Sequence, residues 1–158
     1  MVDFNTAFDR LLGHEGGYTE GKGDPGGETA WGISKHSYPN LIIRNLTRDQ
    51  AKEIYLRDFW KPLGDAHPAV KFQAFDFAVN SGIQTSIRKL QAAVGVADDG
   101  HWGSVSEAAL AKMPLNDVLM RFAAQRLRFM ASLSVWPTFS RGWAIRIAGQ
   151  LEYAAEDN

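Results

Sequence analysis

The chain has 158 residues, of which 45% are apolar and 22% charged, a composition typical of one folded domain and not of a disordered chain. It contains no cysteine, which excludes disulfides, thiolate metal sites and cysteine nucleophiles. The 17 basic and 18 acidic residues leave a net charge of -1, so we expect no nucleic-acid partner. No apolar run approaches the roughly 18 residues of a membrane span, so we expect no stable membrane insertion.

Apolar periodicity and capping residues predict a first group of three short helices. The first covers about residues 5–14 and ends at glycine. The second begins at Thr47, because Thr47 and Gln50 have the spacing of a capping box, and it ends at Pro62. A third helix opens near Pro68 and is nearly all apolar, which indicates burial.

Four further helices are predicted in the second half of the chain. Ser104 and Glu107 have the spacing of another capping box, which would begin one of these helices. Gly95 is suited to end the preceding helix, residues 85–94. These helices cover residues 85–94, 104–112, about fifteen residues from Asn116, and 141–154. Seven short helices with one small β-ribbon place the chain in a mainly α class.

The β-ribbon is predicted from a glycine-rich segment, residues 13–32, which holds eight of the fifteen glycines. Within it, Asp24-Pro25-Gly26-Gly27 is a strong turn signal, because proline presets φ and glycine supplies positive φ. Glu15 lies where the first helix gives way to glycine. Folding the ribbon back would bring Asp24 and Thr29 to face Glu15 across a cleft.

Glu15, Asp24 and Thr29 are residues of the types that a glycosidase needs in its active site. Such an enzyme needs one carboxylic acid to protonate the leaving oxygen and a second carboxylate to activate water or stabilise the transition state. Repulsion among neighbouring acids would raise one carboxyl pKa, with Glu15 as the best candidate. The alternative is that Glu15 is a solvated helix-end acid beside an ordinary loop.

These residues resemble a known family. Glu15-Gly-Gly-Tyr18, then Asp24-Pro-Gly-Gly-Glu-Thr29, then Gly32-Ile33-Ser34 are similar to the glycoside hydrolase family 108 N-acetylmuramidases, many of which are phage or prophage endolysins. The resemblance continues over nearly the whole chain, at residues 75–82, 90–95, 99–103 and 142–146.

The resemblance implies a lysozyme-like fold in a single domain, residues 1–158, with a catalytic lobe over 1–84 and a peptidoglycan-binding-like helical lobe over 85–158. It implies cleavage of the β-1,4 bond between N-acetylmuramic acid and N-acetylglucosamine, without cofactor or metal. Glu15 would be the general acid, Asp24 the general base or electrostatic partner, and Thr29 would orient the attacking water.

Three residues are candidates for substrate binding. Tyr18 and Trp31 flank the expected cleft, and aromatic rings stack on the apolar faces of sugars, although Trp31 could equally be a core residue. Asn80 could hydrogen-bond an N-acetyl group or end its helix as a cap. Asp76, on the nearly all-apolar helix, needs a buried partner, and we expect an arginine.

Other aromatic and charged residues have two interpretations each. Trp102 could stack on sugar or peptide, or could help to build a helical lobe, whereas Trp60, Trp136 and Trp143 are expected in the core. Five arginines lie between residues 116 and 151: Arg121, Arg126, Arg128, Arg141 and Arg146. Of these, Arg121, Arg128 and Arg146 could meet an anionic wall polymer, or the charges could form a solvated face. The four histidines lack metal-ligand spacing, so we expect no metal.

Two rival functions stay open: a lytic transglycosylase, and a non-catalytic wall-binding or virion protein. In the favoured interpretation the partner is bacterial peptidoglycan and the protein is a monomer. No signal peptide is visible at the N-terminus, so we expect synthesis in a host bacterial cytoplasm and action in the cell wall after holin-type release.

Overall fold

The computed structural model of the chain describes residues 1–13, 17–22 and 26–158. These residues form seven α-helices and a two-stranded antiparallel sheet, which confirms the predicted mainly α class with a small β-ribbon. They divide into two compact units, the first of residues 4–61 and the second of residues 1–3 with 62–158. The predicted division into a catalytic lobe, 1–84, and a peptidoglycan-binding-like lobe, 85–158, describes function and stays a prediction. None of the described helices has the length and apolarity that crossing a bilayer requires.

The first unit contains two helices, the sheet and two short turns of helix. Its elements are α1 (Phe4–Leu12), β1 (Thr29–Ala30), β2 (Ile33–Ser34), a 3-10 turn (Ile43–Asn45), α2 (Arg48–Tyr55) and a π turn (Leu56–Trp60). The predicted capping box of α2 is confirmed, because Thr47 Oγ1 accepts from the Gln50 N–H and Gln50 Oε1 accepts from the Thr47 N–H.

Aromatic packing holds α1 against α2 and the π turn. Phe8 and Tyr55 are fully buried, with ring centroids 5.9 Å apart. Phe4 contacts Trp60 at 5.6 Å. The Arg48 guanidinium lies 4.9 Å from the centroid of Phe8 and also pairs with Asp9 at 2.8 Å. The apolar stripe of α1 therefore finds its partner within the same unit.

The second unit is a helical assembly around one buried helix. After a 3-10 turn (Lys61–Leu63) come α3 (Pro68–Ser81), α4 (Ile83–Val94), α5 (Ser104–Lys112), α6 (Leu115–Ser132) and α7 (Trp136–Asp157). α3 packs against α4, α6 and α7, and its side chains from Phe72 to Ala78 are all buried. Gly95 ends α4 with φ of 80°, as predicted.

A buried ion cluster joins three of these helices. Asp76 of α3 is 1% exposed; its Oδ2 lies 2.9 Å from Arg126 Nη1 of α6, and its Oδ1 lies 2.9 Å from Arg146 Nη2 of α7. Desolvation alone would raise the pKa of Asp76, but the charges of Arg126 and Arg146 hold it below its ordinary value. The expected arginine partner is therefore confirmed, and Arg126 and Arg146 are not surface residues available to a wall polymer.

A buried glutamine organises the loop after α4. Gln91 Nε2 donates to Asp99 Oδ1, to the His101 carbonyl and to Ser106 Oγ, while its Oε1 accepts from the Gly100 N–H. These bonds lie between 2.9 and 3.1 Å. The neighbouring Trp102 is only 8% exposed, so it packs in the helical lobe and does not offer a face to sugar.

Three sequence expectations for the second unit were wrong. The N-cap of α5 is Gly103 with no side-chain cap bond, because Glu107 Oε1 instead accepts from the distant Asp65 N–H at 2.9 Å. α7 begins at Trp136 and not near residue 141, since proline is tolerated in the first turn of a helix. Trp136 and Trp143 are half-buried and not core residues.

We predict that Asp76→Asn lowers the free energy of unfolding by about 3–5 kcal/mol, because it leaves two arginines without their buried counter-charge. The native pKa of Asp76 lies below its unfolded value of ~3.9. Its contribution is therefore complete above that value and is lost as pH falls through the native pKa. Urea unfolding from pH 7 down to pH 2 should show a weaker acid dependence in the variant than in the wild type.

The matched control is Asp65→Asn, which changes an exposed carboxylate of the same unit and should stay within about 0.5 kcal/mol of the wild type. Equal acid sensitivity of Asp76→Asn and wild type would contradict the assignment.

Candidate active site

The predicted site residues fall in different parts of the chain. Glu15 and Asp24 lie outside the described residues. Tyr18, Thr29 and Trp31 belong to the ribbon of the first unit, and Asn80 belongs to α3 of the second unit. The ribbon therefore carries the described part of the predicted catalytic segment.

Thr29 is held by a reciprocal backbone bridge to Thr19. The Thr19 N–H donates to the Thr29 carbonyl at 2.8 Å, and the Thr29 N–H donates to the Thr19 carbonyl at 3.0 Å. On its other side β1 pairs with β2, with Thr29 opposite Ser34. The two threonine hydroxyls lie 3.1 Å apart, and either could be the donor. Thr29 is thus fixed between two neighbouring segments of backbone.

A close glycine approach shapes the same ribbon. Gly21 has φ of 63°, and a Cβ at this position would lie 1.7 Å from the Gly27 carbonyl oxygen. Since that oxygen belongs to the backbone, it has little freedom to move away. Only glycine fits at position 21 without displacing the strand that leads to Thr29.

The turn between β1 and β2 is strained and held by two hydrogen bonds. Trp31 and Gly32 have φ of 54° and 79°, the positive values of a type I′ hairpin turn. Trp31 is the one non-glycine residue with positive φ in the described part of the chain. Its indole N–H donates to the Leu46 carbonyl at 2.9 Å, and its carbonyl accepts from the Tyr55 hydroxyl at 2.7 Å.

Strain of this kind persists where surrounding contacts enforce it, and it is concentrated at functional sites. Trp31 is half-buried, so part of its ring is accessible while its polar N–H is already used inside the protein. Because Trp31 directly follows β1, the enforced turn also fixes the direction of Thr29. This strain could not be predicted from the sequence, since the usual residues for such a turn are asparagine, aspartate or glycine.

Tyr18 lies in a polar cluster with Glu28 and Arg44. Tyr18 is 37% exposed, and its hydroxyl donates to Glu28 Oε2 at 2.9 Å. The Arg44 guanidinium lies 5.7 Å from the centre of the Tyr18 ring. Hydrogen bonding to Tyr18, together with the charges of Tyr18, Glu28 and Glu20, raises the pKa of Arg44. Sequence reasoning missed Arg44, because nothing in its local pattern links it to residue 18.

Charge in the described ribbon is locally balanced. Glu28 accepts from Tyr18 and interacts with Arg44, while Glu20 lies 3.3 Å from Lys22. The excess of acidic side chains expected in this segment is therefore partly compensated by cations. For the described residues, no group of three histidine, aspartate or glutamate side chains is placed to hold a metal ion.

Two comparisons with known proteins found similarity, one in sequence and one in fold. Residues 8–82 match the sequence model of the family Glycosyl hydrolase 108. The fold matches SagA from Brucella abortus with a TM-score of 0.90 and 29% sequence identity, over 97% of this chain and 94% of that one. The chain has a lysozyme-like fold, and over residues 8–82 it is similar to the glycosyl hydrolase 108 family. No curated protein sequence matches it at a significant level.

This similarity supports a glycoside hydrolase and suggests peptidoglycan as its substrate. The matched segment contains Glu15, Asp24 and Thr29, and it ends at Gly82, just after Asn80. The whole described ribbon therefore lies within the family match.

Asn80 lies in the last turn of α3, where it is exposed. Its Oδ1 is 3.5 Å from Arg126 Nη2, a long contact that links it to the Asp76 cluster. The cap of α3 is Gly82, with φ of 92°, so Asn80 does not end the helix as a cap. Its contact with an N-acetyl group stays a prediction.

We predict that Gly21→Ala destabilises the protein by more than about 1 kcal/mol, because the new Cβ collides with backbone and the φ is unfavourable for alanine. Activity on peptidoglycan should fall with it, since the ribbon that carries Thr29 must shift. Urea unfolding and turbidity clearing measure the two effects.

Gly17→Ala is the matched stability control, because among the described residues, its chain neighbours aside, no atom lies within 4 Å of its Cβ position. Equal unfolding midpoints for the two variants would show that the close approach of Gly21 to Gly27 does not constrain the ribbon.

Proposed function

We propose that this chain is an N-acetylmuramidase, which hydrolyses the β-1,4 bond between N-acetylmuramic acid and N-acetylglucosamine in peptidoglycan. The observation that carries the proposal is the family match over residues 8–82, because this one segment contains both candidate carboxylates and the threonine. A glycosidase needs two carboxyl groups beside the scissile bond, and Glu15 and Asp24 supply them.

The roles follow from the chemistry of glycoside cleavage. Glu15 protonates the leaving oxygen as general acid, and Asp24 acts as general base on water or as electrostatic partner of the oxocarbenium-like transition state. Both residues lie outside the described part of the chain, so this assignment rests on their order and spacing in the matched family segment.

Thr29 is proposed to orient the attacking water. A hydroxyl has one hydrogen to donate and two lone pairs to accept with. If the Thr19 hydroxyl donates across the 3.1 Å contact, the hydrogen of Thr29 is free for a water molecule. The backbone bridge on one side and the strained turn at Trp31 on the other keep this hydroxyl in place.

Tyr18 and Trp31 are proposed to contact the sugars, and Asn80 an N-acetyl group. The exposed ring of Tyr18 and the half-buried ring of Trp31 both offer apolar surface of the kind that stacks on sugars. Glu28 and Arg44 orient Tyr18 from two sides. The Tyr18 ring is thereby prepared for binding before substrate arrives.

We also propose a phage-type role for this muramidase. It would act as a monomer, be made in the host cytoplasm and reach the cell wall after holin-type release. The similarity of its motifs to phage and prophage endolysins supports this proposal.

We predict that Glu15→Gln lowers peptidoglycan hydrolysis by more than about 10²-fold, the lower range for loss of a general acid. The variant keeps the shape of the side chain, so its far-ultraviolet circular dichroism should match the wild type. Asp24→Asn should be similarly impaired if that carboxylate is the base, and a near-normal rate would remove it from that role. Zymograms and turbidity assays give the rates.

Product analysis separates hydrolysis from its rivals. Mass spectrometry of digested wall should find reducing muramic ends, whereas 1,6-anhydro ends would identify a lytic transglycosylase. Equal clearing by wild type and Glu15→Gln would contradict the role of Glu15. Absence of clearing by the wild type would favour a non-catalytic wall-binding protein.

A second prediction concerns the two facing threonines. Thr29→Val should lower the hydrolysis rate by about tenfold or more, because the attacking water loses its orienting partner. Thr19→Val is the matched control, since it removes a hydroxyl from the other side of the same backbone bridge. We expect Thr19→Val to keep most of the activity in the same turbidity assay. If Thr19→Val is as inactive as Thr29→Val, the two hydroxyls stabilise the ribbon and Thr29 has no separate role in the reaction.

A further inference from the structure

The ribbon of the first unit carries a row of hydroxyls on the side that faces away from the core. Thr29 lies opposite Thr19 on one side and opposite Ser34 on the other, and residues directly opposite each other in a sheet share a face. The next residue along each strand, Ala30 or Ile33, is only 1% or 2% exposed, so it points to the other face and into the core. We call Thr19, Thr29 and Ser34 the hydroxyl row.

The ladder of backbone hydrogen bonds brings the side chains of Thr29 and Ser34 close together. The Lys35 N–H donates to the Glu28 carbonyl at 2.8 Å, which makes these two residues a hydrogen-bonded pair. Such pairs alternate along an antiparallel ladder with pairs that exchange no bonds, whose Cα atoms lie about 4.5 Å apart and whose side chains are closer. Thr29 and Ser34 form the next pair, so their hydroxyls can meet neighbouring atoms of one bound sugar.

Ser34 keeps a hydrogen that it can donate. Its Oγ accepts from the Ser37 N–H at 3.1 Å, which uses one of the two lone pairs of the hydroxyl. Within residues 1–13, 17–22 and 26–158, no acceptor takes the hydrogen of this hydroxyl. The bond from Ser37 therefore restrains the hydroxyl and leaves its hydrogen for a ligand.

The missing side chain of Gly26 leaves space beside this hydroxyl. A Cβ at position 26 would lie 3.4 Å from the Ser34 Cβ and 3.9 Å from its Oγ, so any larger residue would cover the half-buried serine. In sequence, Gly26 follows the proposed base Asp24 by two residues. The uncovered hydroxyl therefore belongs to the part of the chain that is proposed to carry the reaction.

We propose that Ser34 is a further substrate-binding residue, whose hydroxyl donates to the N-acetyl carbonyl oxygen of the muramic acid ring that is cleaved. The inference rests on the proposed function, in which Thr29 orients the water that attacks C1 of this ring. The acetamido group is attached to C2, the carbon next to C1. A water molecule on Thr29 and an acetyl oxygen on Ser34 would then be neighbours, as the two side chains are.

The chemistry of Ser34 suits an amide carbonyl as its partner. The carbonyl oxygen of an amide accepts hydrogen bonds and cannot donate, and Ser34 has one hydrogen to give. Removal of the acetyl group replaces this acceptor by an amine, which is protonated near neutral pH and offers donors only. A site with a restrained donor should therefore prefer strands that keep their acetyl groups.

The test is a titration of the whole chain carrying Glu15→Gln, so that strands stay intact, with peptide-free glycan strands and with the same strands stripped of N-acetyl groups. We expect Ser34→Ala to weaken binding of acetylated strands by about three- to tenfold, the range for one neutral hydrogen bond. Binding of stripped strands should stay as in the parent. Ser34→Thr keeps the hydroxyl and should bind both as the parent does. Ser37→Ala is the matched control, since it removes an exposed hydroxyl nearby but keeps the N–H that Ser34 accepts.

A purely structural role of Ser34 would give a different result. If the variant only loosened the turn at Ser37, Ser34→Ala would weaken binding of both kinds of strand equally, and that outcome overturns the inference. Unchanged binding of the acetylated strands overturns it as well. Wild-type digests without reducing muramic ends would remove the proposed function, and this inference with it. When those ends are present, the titration alone decides.

Discussion

The second unit depends on one carboxylate that is removed from water. Asp76 would be unfavourable in the middle of α3 without counter-charges, and Arg126 and Arg146 supply them from α6 and α7. Because both arginines must reach the same carboxylate, the three helices are fixed in register as well as in contact. The same cluster therefore sets where α3 presents Asn80.

In the first unit, the ribbon is held in place by constraints on the backbone and not by a buried ion cluster. Gly21 lets one segment of the ribbon approach another more closely than any side chain allows, and the turn at Trp31 is held in an unfavourable conformation by bonds to Leu46 and Tyr55. Strain at this turn is of order 1–3 kcal/mol, which hydrogen bonds of ordinary strength can offset. The result is a threonine whose hydroxyl has little freedom.

The parts predicted correctly from sequence are those set by local rules. The capping box at Thr47 and the helix end at Gly95 involve neighbours within one turn, and burial of Asp76 demanded a cation wherever it came from. The wrong predictions failed through distant contacts, as where Glu107 binds the Asp65 N–H instead of capping its own helix. For the site, spacing indicated which residue types belong together, but the role of Arg44 beside Tyr18 could not be found without the fold.

Hydrolysis and transglycosylation differ in whether the active site must bind and orient a water molecule. A transglycosylase needs only its acid, because a hydroxyl of the sugar itself attacks, whereas a hydrolase must hold a water molecule against the reacting carbon. Paired hydroxyls on a rigid ribbon suit the second task, since Thr19 can satisfy one side of Thr29 and leave the other side for solvent. A site that only had to exclude water would gain nothing from fixing a hydroxyl there, and the arrangement at Thr29 therefore favours hydrolysis.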